Sequence, residues 1–147
     1  MTAPVRALVA YMEQLDPGLL DGVFADDAVI IDSFAPFVFS GPGATSAWAG
    51  GFAHHVAGHH DLRATLGAPQ EFGRTERATT IGAPDTVFFS QPITWNLTMG
   101  GTSLVETGGL AVVLQAAHRP GDGAGPWRVR CTAWAATSIE VAEGDAS

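Results

Sequence analysis

The stretch "TVFFSQPITWNLTMGGTSLVETGGLAVVLQA", residues 86–116, decides the fold. Val87, Phe89, Ile93, Trp95, Leu97 and Met99 fall on one side, and Thr86, Ser90, Thr94, Asn96 and Thr98 mostly on the other. That period of two marks a half-buried strand. Gly100-Gly101 then supplies the two residues of a tight hairpin, and the chain returns over about Thr102–Ala116. A two-residue loop sets Glu106 opposite Trp95. Pro92 and the pair Gly108-Gly109 interrupt the two strands and are expected to bend the sheet.

Upstream the period changes. Val5, Leu8, Val9, Met12 and Leu15 recur at helical spacing over residues 4–15, with Pro4 in the first turn. Asp16 and Pro17 restart a second helix, with Leu19, Leu20, Val23 and Phe24 as its apolar side. A strand over about Ala28–Ser33 follows, then a third helix from about Pro42 to Gly58, which Gly50-Gly51 weakens by about 1 kcal/mol per glycine. From Asp61 the chain alternates again in "DLRATLGAPQ" and "TERATTIG", "RPGDGAGP" reads as a loop, and Trp127–Ser138 as the last strand. This order gives an α+β fold, a curved antiparallel sheet wrapping around three N-terminal helices to form a cone with an apolar pocket. Residues 1–139 form a single domain, and 140–147 a polar C-terminal tail.

The totals exclude several classes. A chain of 147 residues, 46% hydrophobic and 15% charged, can bury a sizeable core. Its formal charge of −8, with no lysine and scattered arginines, argues against nucleic acid. Abundant Ala and Gly with Arg in place of Lys suit a GC-rich bacterial genome. The N-terminus lacks the charged and long apolar regions of a signal peptide, and no run reaches the length of a membrane span. A cytoplasmic protein with no membrane contact is expected. Cys131 is the sole cysteine and reads as a small core residue.

Two groups of residues invite chemistry. Asp32 ends the β-branched run Val29-Ile30-Ile31 among apolar neighbours. Taking a carboxylate out of water is costly unless it is paired, exposed or functional. It either faces a pocket or caps the turn in "DSFAP". "HHVAGHH" places His55 and His59 at i, i+4, but no third ligand accompanies them, so no metal is expected. Histidines at a helix C-terminus also complement its partial negative charge.

The segments "FADDAVIID", "MGGTSLVETGG" and "WRVRCTAWA", in this order over about residues 4–138, resemble the nuclear-transport-factor-two-like superfamily, and within it its SnoaL-like and ketosteroid-isomerase-like members. The resemblance implies the cone fold, a small apolar ligand, no cofactor and a homodimer formed through the outer sheet face, where Phe88, Val105 and Val113 lie. It aligns Asp32 with the general base of ketosteroid isomerases. It sets His59 or His60 near the catalytic histidine of scytalone-dehydratase-like members, and Trp134 at the aromatic lining the isomerase pocket. Tyr11, Trp48, Phe52, His55, Trp95 and Glu106 complete the candidate pocket. The isomerase oxyanion donors are missing, since their positions fall at Leu8 and near Leu110. The implied activity is that of an isomerase, cyclase or dehydratase on an apolar carbonyl compound. The alternative is a non-catalytic ligand-binding or dimerisation module.

Overall fold

The computed structural model describes residues 3–75, 85–119 and 123–142. Helix α1 spans Ala3–Gln14 and buries Val5, Leu8, Val9, Tyr11 and Met12, the stripe its spacing dictates. Leu15 stops it in the left-handed region, φ 56°, where its N–H still donates to the Tyr11 carbonyl. The expected second helix is a correction. It shrinks to a 3-10 turn, Pro17–Leu20, capped by Asp16, whose side chain accepts from the Gly18 N–H at 3.0 Å. Gly22 at φ 70° then turns the chain, and Phe24 starts a strand instead of completing a helix face. Among the described residues there are therefore two α-helices, not three.

Strand β1 covers Phe24–Ile31, β2 Val38–Phe39, helix α2 Ala44–His55, β3 His59–Leu66 and β4 Gln70–Thr75. The long strands β5 (Asp85–Met99), β6 (Thr102–Arg119) and β7 (Gly123–Val141) follow. They order as β2-β1-β7-β6-β5-β3, with β4 on the same edge of β5 as β3. The hairpin forms in the expected register, Met99 facing Thr102 and Trp95 facing Glu106. Residues 76–82 of the segment read as a further strand, residues 120–122 of the expected loop and residues 143–147 of the tail lie outside the described residues.

The sheet is mixed rather than antiparallel, a second correction, because β1 pairs parallel to β7. No turn signals that pairing. A parallel neighbour needs a long crossover, and here almost the whole chain supplies it. Arg130 of β7 clamps the pair, its guanidinium meeting the Asp27 carboxylate at 3.3 Å and the Asp27 carbonyl at 2.5 Å. Cys131 is half-buried between Val29 and Val113.

Curvature has local causes. The β6–β7 register shifts between Thr107 and Gly108, a bulge at the Gly108-Gly109 interruption. At Pro92 the β5–β6 ladder runs on unbroken; the residue instead marks where the partner of β5 changes from β3 to β4. Gln91, buried in that gap, donates to the Gly67 and Pro92 carbonyls at 2.8 and 3.0 Å. The concave face presents Val87, Phe89, Ile93, Trp95 and Leu97 to both helices, and this is the core. Neither helix is long and apolar enough to cross a membrane.

Candidate functional site

Between α1, α2 and the concave sheet lies a cavity of about 60 Å³. Its deep wall is aliphatic, made by Met12, Ile93, Leu97 and Leu110, with Phe52, Trp95 and Trp134 as aromatic panels. Four ionisable groups reach into it: Asp32, His55, His59 and Glu106.

Asp32 follows directly on β1, where its N–H donates to the Phe37 carbonyl at 2.9 Å and closes a short turn. Its Oδ1 accepts from the Ser33 N–H at 2.7 Å, the local capping expected of an aspartate there. Its Oδ2 accepts from the Trp48 indole N–H at 2.9 Å. The two readings of Asp32 thus coexist, since one oxygen caps the turn and the residue still lines the cavity. Trp48 is 1% exposed and wedged among Tyr11, Phe24 and Phe52, with centroids 5.6–6.0 Å away. A rigid core residue therefore aims the carboxylate.

Helix α2 delivers Phe52 and His55 to the cavity. Its Gly51 is a packing requirement as well as a weakness: a Cβ there would come within 2.8 Å of the Phe34 ring. Phe34 in turn stacks on His55, centroids 5.1 Å apart at 23°, and His55 meets the His59 ring edge-on at 6.0 Å. Burial pushes the His59 pKa below its usual value, with the neighbouring His55 adding to the effect, while the Glu106 carboxylate opposes it. The shift favours the neutral imidazole, in which one ring nitrogen carries a proton and the other can accept.

Glu106 projects from β6 beside Trp134 of β7, whose indole N–H donates to its Oε1 at 3.3 Å. The bulge allows this. A Cβ on Gly108 would sit 2.7 Å from the Trp134 ring and collide with the Ala135 carbonyl oxygen.

Of the sequence candidates, Asp32, Phe52, His55, His59, Trp95, Glu106 and Trp134 share the cavity wall. The other three stand apart from it. His60 is exposed on β3 and outside the lining. Tyr11 is buried below, its hydroxyl donating to the Ala49 carbonyl at 2.7 Å, and the loss of water there raises its pKa. Trp48 acts from behind Asp32. Sequence reasoning missed Met12, Leu62, Ile93 and Leu97 as wall residues, although Ile93 and Leu97 flank Trp95 at the same strand period. Leu110 is an aliphatic part of the wall. Among the described residues no three His, Cys, Asp or Glu side chains converge as a metal site.

No protein-family model and no curated protein sequence matches the chain. Solved structures do match. A hexachlorocyclohexane dehydrochlorinase, LinA-type3, from Novosphingobium barchaimii superposes with a TM-score of 0.71 at 12% identity, over 97% of this chain and 88% of that one. A putative scytalone dehydratase from Novosphingobium aromaticivorans gives 0.65 at 11% identity, over 97% and 87%. A nuclear-transport-factor-two-like superfamily protein from Salmonella enterica gives 0.59 at 15%, over 99% and 94%. The chain has the nuclear-transport-factor-two-like fold, an α+β cone with a curved, unclosed sheet.

Proposed function

We propose that the protein is an enzyme that moves a proton on a small apolar carbonyl compound, as an isomerase, cyclase or dehydratase does, with Asp32 as the general base. The supporting observation is Asp32 itself, a carboxylate oriented by Trp48 and Ser33 at the wall of an apolar cavity that it shares with a neutral imidazole. Asp32 takes a proton from the carbon beside the carbonyl, and the C–H electron pair moves toward the carbonyl oxygen. The His59 N–H donates a hydrogen bond to that oxygen as charge develops, in place of the isomerase donors missing at Leu8 and near Leu110. The proton returns from Asp32 to a different carbon in an isomerisation. In a dehydration, the hydroxyl on the next carbon leaves as water with that proton from Asp32, and the enolate collapses to a C=C bond beside the carbonyl. His60 is exposed and takes no part.

The test is hydrogen–deuterium exchange at the α-carbon of small cyclic ketones in D2O, followed by NMR. The protein should accelerate exchange above buffer. Asp32→Asn should lower that exchange by about 10²–10⁴-fold and cost about 1–3 kcal/mol of stability, because its amide NH2 must face one of the two N–H donors that the carboxylate accepts from. Unchanged exchange in the Asn variant would leave a ligand-binding module as the reading.

The same reading takes the protein as a cytoplasmic homodimer, paired through the outer sheet face. Phe88 is exposed there and packs on Phe72 at 5.8 Å. Light scattering should return twice the 15.2 kDa chain mass, and a concentration-independent monomer would refute the pairing.

A further inference from the structure

The cavity carries two carboxylates, Asp32 and Glu106, and among the described residues no arginine lines it, in a chain that has no lysine at all. Burial, and then the neighbouring His55, favour the neutral form of His59, so that ring does little to offset them. The potential inside is negative, and apolar walls strengthen it by keeping water out.

The carboxylates are held differently. Asp32 is engaged at both oxygens, by the Trp48 indole and by Ser33. Glu106 accepts at Oε1, at the longer distance of 3.3 Å from Trp134. A carboxylate offers about four lone-pair sites, so Glu106 keeps most of its accepting capacity for a ligand. Beside Glu106 stand Trp134 and Trp95, the latter its cross-strand partner, and Phe52 lines the same cavity; aromatic ring faces attract cations and have no attraction for anions.

We propose that the cavity selects a ligand bearing a basic nitrogen, with the ammonium seated against Glu106 over the indole faces, and that Glu106 sets this selectivity. The inference rests on the cavity being the substrate site. It narrows the substrate class to small apolar carbonyl compounds that also carry an amine. Asp32 is then left for the proton transfer, and Glu106 positions the substrate through its charge.

Three four-carbon probes separate charge from shape: n-butylamine, n-butanol and butyrate. Binding is read at pH 7.5 from NMR shifts of the Trp95 and Trp134 indole N–H signals. Butylamine should bind at least about tenfold more tightly than butanol, and butyrate more weakly than either. Glu106→Gln should abolish the preference for the amine while leaving butanol affinity and melting temperature unchanged. Equal binding of amine and alcohol, or an amine preference that survives Glu106→Gln, would overturn the selectivity and leave the site intact. Failure of all three probes to move the Trp95 and Trp134 signals would overturn the site and the selectivity together.

Discussion

Two tryptophans each donate an indole N–H to a carboxylate at the cavity, from opposite kinds of surroundings. Trp48 belongs to α2, is 1% exposed, and holds Asp32 at 2.9 Å across 16 residues of sequence. Trp134 belongs to β7, is half-buried, and holds Glu106 at 3.3 Å from the neighbouring strand. The first pair is core with a polar tip: three aromatic rings fix the indole, and the indole fixes the acid. The second is cavity surface, set by a sheet bulge and open to whatever enters. The same hydrogen bond therefore lies inside the packed core in one place and at the cavity surface in the other.

The largest effect expected from this contrast is on stability. Trp48→Ala should cost about 3–5 kcal/mol, the penalty for emptying a packed aromatic site. Trp134→Ala should cost less than half of that, because half-buried area gives up less on truncation. At this size each kcal/mol moves the melting temperature by about 2–4 °C, so thermal melts of the two variants resolve the difference. Equal losses would erase the distinction between scaffold and surface.

Gly108 offers a sharper cut at the second pair. An added Cβ would collide with the Trp134 ring and the Ala135 carbonyl, so Gly108→Ala should cost about 1–3 kcal/mol and displace the indole from Glu106. Gly109→Ala is the control, since its Cβ would meet only the Ser90 hydroxyl at 3.4 Å. Indole NMR shifts of Trp134 that stay put in Gly108→Ala would show that the bulge does not position this side chain.

The smallest effect is on pH dependence. His59 titrates below its usual 6.5 in the folded chain, first through burial and then through His55. The unfolded chain therefore binds more protons in the window below 6.5, and stability falls as pH drops toward the folded pKa. Melts between pH 7.5 and 5 should show a steeper loss for the natural chain than for His59→Gln. Identical slopes would remove His59 as the cause.

Much of the fold was legible because its signals are local. Alternation over Val87–Met99, the Gly100-Gly101 turn and the facing of Trp95 by Glu106 depend on residues within one hairpin. The stripe of α1 is equally local. The second helix failed for the converse reason: Pro17 and the apolar residues behind it have a helical period, but Gly22 and the pairing of Phe24 with Val129 take the chain into the sheet. β2, two residues long, has no period to detect.

The residues themselves determined that Asp32 would sit among apolar neighbours, that Glu106 would lie opposite Trp95, and that the chain would offer no lysine to balance either acid. Only the tertiary structure decided that Trp48 would reach Asp32, that Trp134 would reach Glu106, that His59 would join the cavity while His60 faced water, and that β1 would lie parallel to β7. Period and turn chemistry act over a few residues, where chain geometry dictates which side chains share a face. Contacts between distant segments depend on which of many compatible apolar faces close together, and that choice belongs to the packing of the whole core.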